Sequence, residues 1–502
     1  MEINVQVGAI QGVSSDLIVV NLFQGVEQPV GATGVVDSAL GGAIRDLIAA
    51  GDFKGKAEEL VLLYSRGAIP AKRVLVVGLG AQEEFSVDVV RRVAAVAARK
   101  ARELGVTRYH SIVHGAGTAG LDPAEAAQAV VEGSLLGSYR FDVHKTRQEN
   151  QEPELEALTL VQLDEASLPA IQAGARVGQV VADSVSLAKD LINQPGNYCT
   201  PTLLAEVAEQ VAAKAGLAFQ VLGEREMAEL GMGALLGVAQ GSSEPAQFII
   251  LEHNADRADL PTYVVVGKGI TFDSGGISLK PSDGMEHMKE DMAGAAAILG
   301  VLHAVGMLDL PLHVVGLAPA TENLPGGRAF KPGDVLSSMS GTTIEVISTD
   351  AEGRLILADA LNYAARYQPK AVVDVATLTG GCVVALGHVA AGLMGNNSDL
   401  LQALKEASNQ TGEKVWELPF FKEYEEQIES DIADVKNSGG RAASAITAGL
   451  FLRKFAGDYP WAHLDIAGMM AAEKTRGYAT KGATGFATRL LIRWLRDRAN
   501  QA

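Results

Sequence analysis

The sequence predicts an α/β protein with a smaller N-terminal α/β domain, a connecting helix and a larger, doubly wound C-terminal domain. Three observations support this prediction. At 502 residues the chain exceeds the usual size of a single domain. Short β-rich runs alternate with longer helical patterns, as they do in α/β sheets. Several of the short runs are continuously apolar, which is typical of central strands covered on both faces.

The N-terminal α/β domain is predicted to span residues 1–165. Its strands are expected at 3–7, 17–22, 60–64, 74–78 and 157–163, and its main helices at 87–104 and 123–136. Gly78 and Gly80 resemble part of a phosphate-binding loop. No third glycine follows at the dinucleotide spacing, however, so the pattern does not favour nucleotide binding.

A single long helix is predicted to connect the two domains, within residues 166–198. Apolar residues recur at helical spacing from 168 to 192. The pattern stops at 193–196, where Pro195 and Gly196 break the helix.

The C-terminal domain is predicted to span residues 199–502 and to carry the chemistry. Its expected strands are 247–251, 263–266, 313–317, 343–347 and 371–376, and its expected helices are 202–215, 291–306, 355–367 and 442–455. Acidic residues cluster at the ends of these strands. Ligands bind at that edge in open α/β sheets.

Composition narrows the class of protein. The net charge of −18 disfavours a general nucleic-acid binder, which needs a basic face. The two cysteines, Cys199 and Cys382, suit a reducing cytoplasm and exclude a disulfide framework. The N-terminus shows no signal-peptide pattern. The uncharged stretch 292–308 is just short of a membrane span, and a buried helix is the prediction.

Two acidic stretches stand out. Residues 348–354 place Asp350, Glu352 and Arg354 between an apolar run and a helical pattern. Taken alone, this stretch also fits a plain helix cap, because Thr349 and Glu352 form a capping-box pattern. A second cluster, in residues 264–291, favours a functional site.

Together these stretches offer four carboxylates: Asp273, Asp291, Asp350 and Glu352. Four such groups in one place repel one another, and a pair of divalent cations roughly 3.5–4 Å apart is the usual solution. No HExxH motif or metal-spaced cysteine pair occurs, so the predicted site is oxygen-rich and favours Mn, Mg or Zn. His287 is an alternative ligand, with a capping or supporting role equally open.

Three cations accompany the acids: Lys268, Lys280 and Arg354. They could simply balance charge. Alternatively, a neutral lysine could be a nitrogen ligand, or a charged one could polarise a carbonyl.

Residues 266–276 and 349–354 resemble the two signature blocks of the leucine aminopeptidase (cytosol aminopeptidase) family. The resemblance continues through 193–201, 374–381, 461–470 and 482–491, and so covers most of the chain after about residue 170. The N-terminal domain is similar only in general character. Ser348 stands where the family usually has asparagine.

The resemblance implies a two-metal exopeptidase that releases Leu-like N-terminal residues from peptides. It implies that Lys268, Asp273, Asp291 and Glu352 hold one metal ion, Mn²⁺ or Zn²⁺, and that Asp273, Asp350 and Glu352 hold the other. It further implies that Lys280 polarises the scissile carbonyl and that Arg354 holds a bicarbonate acting as general base. The residues implied to line the pocket for the first side chain are Met288, Thr377, Gly380, Ala467 and Met470; without the resemblance, core packing explains these five equally well. A cytoplasmic homohexamer is also implied.

Two other functions remain open at this point. The acids alone do not exclude a two-metal phosphoesterase, although a neutral-lysine ligand and an apolar pocket argue against it. Some members of the family that the chain resembles also act as DNA-binding accessory or repressor proteins. The net charge of −18 argues against DNA binding by this chain.

Overall fold

The computed structural model describes residues 1–116, 120–146 and 152–501. The chain forms two compact units. Unit 1 comprises Met1–Asp183 and Glu473–Lys481, and unit 2 comprises Ser184–Ala472 and Gly482–Ala502. The predicted α/β class, with a smaller N-terminal and a larger C-terminal part, is confirmed.

The described residues of unit 1 form six strands and the helices that connect them. Its strands are β1 (Glu2–Val7), β2 (Ile18–Leu22), β3 (Leu60–Tyr64), β4 (Arg73–Gly78), β5 (Arg108–Ile112) and β6 (Ala157–Gln162). Its helices are α1 (Gly31–Ala39), α2 (Ala43–Ala50), α3 (Val87–Glu103) and α4 (Pro123–Gly137), and the long helix α5 (Leu168–Asn193) runs from unit 1 into unit 2.

The sheet of unit 1 has the order β1-β6-β5-β2-β4-β3 and is parallel except for β3. The two glycines at the end of β4 are accounted for by packing. A Cβ on Gly78 would lie 2.0 Å from the carbonyl oxygen of Lys56, and one on Gly80 would lie 3.0 Å from Cβ of Ala57. Close packing against residues 55–57 therefore accounts for both glycines.

A distant piece of chain, Glu473–Lys481, completes unit 1. The hydroxyl of Tyr478 donates to Asp88 Oδ1 at 2.8 Å, and the Arg91 guanidinium lies 5.6 Å from the centre of the Tyr478 ring. Arg99 Nη1 donates to the carbonyl oxygen of Gly477 at 2.5 Å. This segment is thus held to α3 by aromatic, charged and backbone groups.

Unit 2 contains the remaining elements. Its strands are β7 (Ala218–Leu222), β8 (Gln247–His253), β9 (Thr262–Gly267), β10 (Gly269–Asp273), β11 (His313–Asn323), β12 (Val335–Ser337), β13 (Thr343–Glu345), β14 (Ala371–Ala376), β15 (Ala391–Gly395), β16 (Val415–Glu417), β17 (Val435–Lys436), β18 (Trp461–Asp465), β19 (Ala471–Ala472) and β20 (Gly482–Ala483). Its helices are α6 (Pro201–Ala215), α7 (Glu224–Glu229), α8 (Gly233–Ala239), α9 (Ala293–Leu308), α10 (Gly353–Ala364), α11 (Gly380–Leu386), α12 (Ser398–Thr411), α13 (Ser444–Arg453) and α14 (Thr488–Ala499).

A nine-stranded sheet forms the centre of unit 2, in the order β16-β15-β18-β14-β9-β11-β8-β7, with β10 paired to β11. Helices cover both faces. Val264 and Val266 of β9 join a core cluster with α8, α10 and α13. Val265 points to the opposite face, because side chains alternate along a strand, and α9 packs against the sheet. The continuously apolar runs are central strands, as expected.

One predicted strand was assigned to the wrong sheet. Residues 343–347 were expected in the main sheet, but β13 covers only Thr343–Glu345 and pairs with β12 and β17 in a separate small sheet. Only Ile344 of its three residues is buried. A short strand with a single buried side chain suits the edge of a domain better than its centre.

The uncharged stretch 292–308, which was predicted to be a buried helix, forms a buried helix in the structure. The helical segment Met285–Leu308 has the length and hydropathy to cross a membrane, but 83% of its most apolar window is buried inside the structure. In α9, every residue from Ala293 to Val305 is buried.

Candidate metal centre

Strand ends and helix starts bring the acidic residues of unit 2 together. Asp273 is the last residue of β10, and Asp291 lies two residues before α9. Asp350 and Glu352 occupy the turn that leads from the small sheet into α10. Single oxygens of Asp273, Asp350 and Glu352 lie within 4.8 Å of one another. Three of the four predicted acids therefore form one compact group.

Lys268 joins the fourth acid to this group. Its Nζ donates to Asp291 Oδ1 at 2.8 Å and lies 2.9 Å from Glu352 Oε1. The approach requires Gly353, because a Cβ there would lie 2.5 Å from Cε of Lys268. Burial opposes the lysine charge, but the carboxylates of Asp291, Glu352 and Asp273 outweigh burial and raise the pKa of Lys268.

Lys280 approaches the acids from the more open side. Its Nζ lies 2.8 Å from Asp273 Oδ2 and 2.5 Å from Asp350 Oδ1. Its side chain is 22% exposed, whereas that of Lys268 is 3% exposed. Of the two lysines, Lys280 is therefore the one that an incoming molecule can reach.

The pKa values of the acids are shifted in different directions. Burial and the negative charge of Glu352 raise the pKa of Asp273 to about 6. Burial raises the pKa of Asp291 well above its usual value. For Glu352, burial acts in the same direction, but Lys268 and Lys280 outweigh it and lower the pKa. The two lysines therefore offset burial at Glu352 but not at Asp273 or Asp291.

The donor set fits divalent cations. Asp291 Oδ2 is buried, and Lys268 Nζ lies 2.7 Å from it. The same ammonium group lies 2.9 Å from Glu352 Oε1, so one cation is shared by two buried carboxylates, and a further positive group there would be stabilising. Oxygen ligands and excess negative charge are what Mn²⁺, Mg²⁺ and carboxylate-bound Zn²⁺ require.

His287 lies apart from the acidic group. Its side chain is 61% exposed, and its ring nitrogens lie 3.4 Å from Glu290 and 3.9 Å from Glu286. Its described contacts are thus with its own 3-10 helix, Met285–Glu290, and not with the four acids.

Arg354 is buried beside the acids and held by an asparagine. Its Nη1 donates to the carbonyl oxygen of Asn437 at 2.7 Å, and its buried Nε has no hydrogen-bond acceptor among the described residues. Burial lowers the pKa of Arg354 to about 10 against the attraction of Glu352 and Asp465. The Asn437 side chain in turn accepts from the backbone N–H of Ile347 at 2.8 Å.

Two of the five predicted pocket residues come from two adjacent strand ends. Thr377 follows β14 and Ala467 follows β18, and Thr377 Oγ1 donates to Asp291 Oδ1 at 2.6 Å. Asp465 links the two segments, because its Oδ1 accepts from the backbone N–H groups of Leu378 and Ala467, each at 3.2 Å. Of the remaining three, Gly380 begins α11, Met470 immediately precedes β19, and Met288 lies in the 3-10 helix before α9.

Three buried polar residues that support the site were not identified from the sequence: Asn323, Asn437 and Asp465. The only signal for Asn323 and Asp465 is a polar residue at the end of an apolar run. Asn437 follows the two-residue strand β17, and no spacing in the sequence links it to residues 347–354.

Comparison with known proteins assigns the chain to a family. The sequence model of the cytosol aminopeptidase family, catalytic domain, matches residues 186–492, and that of the same family's N-terminal domain matches residues 19–148. A "probable cytosol aminopeptidase" from Geotalea uraniireducens is 51% identical over 470 residues, covering 92% of each chain.

Solved structures agree. The bottromycin maturation enzyme BotP in complex with Mn is 34% identical with a TM-score of 0.85, covering 97% of this chain and 100% of BotP. A mutant of tomato leucine aminopeptidase is 32% identical with a TM-score of 0.88, covering 99% of this chain and 96% of that one. The chain therefore belongs to the cytosol aminopeptidase family and is a peptidase hydrolase.

Proposed function

We propose that this protein is an aminopeptidase that uses two divalent cations, Mn²⁺ or Zn²⁺, to release Leu-like residues from peptide N-termini. The observation that carries the proposal is the compact group of Asp273, Asp350 and Glu352 with two lysines pointing into it. Membership of a metal-dependent peptidase family supports it, as does a Mn complex of the structurally similar BotP.

The four acids and Lys268 are assigned to the two cations as follows. Lys268, Asp273, Asp291 and Glu352 hold one cation, while Asp273, Asp350 and Glu352 hold the other. When bound, such a pair lowers the pKa of water and polarises the substrate carbonyl. Lys268 has a ligand role only as the neutral amine, so cation binding is coupled to the loss of its proton.

Lys280 and Arg354 are proposed to act on the substrate side of the centre. The ammonium group of Lys280 lies at the half-open edge, beside Asp350, where it can stabilise negative charge on a carbonyl oxygen. Arg354 is the residue that would hold a bicarbonate ion, whose role is to accept a proton. Its buried Nε–H, which has no acceptor within residues 1–116, 120–146 and 152–501, supports this assignment.

The side-chain pocket is proposed to be formed by Met288, Thr377, Gly380, Ala467 and Met470, whose small or apolar character fits Leu. The family resemblance supports a cytoplasmic homohexamer. The net charge of −18 argues against nucleic-acid binding.

The proposal predicts that the free amino group of the substrate is essential. By the proposal, the α-amine of the substrate would bind the cation that Lys268 and Asp291 hold, and it can do so only as the neutral amine. An α-amine has a pKa of about 8, so activity is expected to rise toward mildly alkaline pH. Leu-p-nitroanilide and Leu-Gly are cleaved, N-acetyl-Leu-p-nitroanilide is not, and Asp- or Glu-initiated substrates are cleaved weakly, because an apolar pocket gives their charge no partner. Release of p-nitroaniline measures the first comparison. Equal turnover of the free and acetylated substrates would overturn the aminopeptidase assignment.

A strong chelator is expected to abolish Leu-p-nitroanilide hydrolysis, and Mn²⁺ or another divalent ion is expected to restore it. The reason is that the acidic group, and no nucleophilic triad, carries the proposed chemistry. Circular dichroism of the chelated protein controls for unfolding. Full activity in protein shown by elemental analysis to be metal-free would contradict the prediction.

A further inference from the structure

Asn323 lies between two of the proposed metal ligands, Asp273 and Glu352. It is the last residue of β11, it is fully buried, and its register partner on β10 is Asp273. Its side-chain Nδ2 donates to Asp273 Oδ1 at 2.8 Å and to the carbonyl oxygen of Thr349 at 3.0 Å. The same nitrogen lies 3.5 Å from Glu352 Oε2. The amide group of Asn323 therefore contacts Asp273 and Glu352, the two acids that are proposed to be shared by the two cations.

The side chain of Asn323 is enclosed, and Gly276 lies against its amide oxygen. Its Oδ1 is buried, has no hydrogen-bond donor in the part of the chain that the structure describes, and faces Gly276, where a Cβ would lie 2.7 Å from it. Gly276 has a φ of +65°, a conformation that favours glycine. The backbone carbonyl of Asn323 accepts from both the N–H and the hydroxyl of Ser274, at 3.0 and 2.7 Å.

The chemistry of an amide suits this position. A lysine there would neutralise the acids and compete with a cation for them. An amide N–H donates a hydrogen bond while leaving the full negative charge on each carboxylate. It can therefore fix where the carboxylate oxygens point without weakening their attraction for a cation.

We infer that Asn323 is a positioning residue for the metal centre, which sets the separation of Asp273 and Glu352 and thereby the affinity for divalent cations. This inference rests on the proposed function, because it takes those two acids to be ligands. Residues that orient metal ligands commonly contribute about 10–100-fold to metal affinity.

The test compares Asn323→Leu, which has a similar size and no donor, with the wild-type protein. Thr321→Val is the matched control, since Thr321 lies on the same strand, is equally buried and has no described bond to the acids. Each protein is stripped of metal and titrated with Mn²⁺, and the free ion is followed by its electron paramagnetic resonance signal. Folding of the metal-free proteins is checked by circular dichroism.

Asn323→Leu is expected to bind Mn²⁺ about 10–100-fold more weakly than wild type, and Thr321→Val to bind it as wild type does. If Asn323→Leu does not fold, Asn323→Ser, which keeps one donor, replaces it and is expected to show a smaller loss. A folded Asn323 variant with an affinity within about twofold of wild type would overturn the inference alone. Wild-type protein that bound no Mn²⁺ would overturn the proposed metal centre and the inference with it.

Discussion

Replacing Lys280 with alanine is expected to lower kcat for Leu-p-nitroanilide by about 10²–10³-fold, the usual effect of removing one donor that stabilises a developing oxyanion. Lys280 contacts Asp273 and Asp350 and is more exposed than Lys268, so its ammonium group is the one available to a substrate carbonyl. Its loss removes a positive charge from the acids, so bound metal is expected to remain.

Lys289→Ala is the matched control for this experiment. Lys289 is close in the chain, but its Nζ donates to the backbone carbonyl of Asn193 at 2.7 Å. Its replacement is expected to leave kcat near the wild-type value. Metal content is measured by elemental analysis in all three proteins. An unchanged kcat in Lys280→Ala, with metal retained, would reduce Lys280 to a charge-balancing residue.

Glu352→Gln is expected to lose both cations, whereas Asp291→Asn loses only one. Glu352 is 1% exposed and, by the proposed assignment, binds both ions, while Asp291 binds one. Both substitutions keep the size of the side chain and remove one negative charge. Glu352 also contacts Lys268 Nζ at 2.9 Å, and that lysine is left with fewer anionic partners in the variant.

The measurement is metal content per chain after dialysis against a weak chelator, together with the rate of Leu-p-nitroanilide cleavage. Glu352→Gln is expected to be inactive at any Mn²⁺ concentration that restores Asp291→Asn. Retention of two tightly bound ions by Glu352→Gln would show that the shared-ligand assignment is wrong.

The fold was predictable wherever one physical signal dominates. The apolar run of β9 is a central strand because both of its faces are covered, and β14, which is apolar except for Asp374, is another. The prediction for residues 343–347 was wrong because a short strand pattern does not reveal which sheet the strand joins. Its pairing with β12 and β17 depends on chain segments far apart in sequence.

The candidate site was predictable for charged residues but not for their supports. Carboxylates and basic residues concentrated in two short stretches can be recognised in a sequence, because burying charged groups together is costly without a functional role. Asn323 and Asn437 instead act through contacts with residues far away in the sequence. Asn323 contacts Asp273, and Asn437 contacts the backbone of Ile347. A single asparagine at a strand end carries no such signal until the directions of the side chains are known.

The packing of residues 473–481 in unit 1 has a consequence for biosynthesis. A chain emerging from the ribosome presents its N-terminal unit first, and domains generally fold as they emerge. Here Tyr478, which bonds to Asp88, is made only after almost all of unit 2. The N-terminal unit therefore reaches its final structure only near the end of translation. A fragment that stops before residue 473 lacks part of its own first unit, however complete that unit looks in the linear sequence.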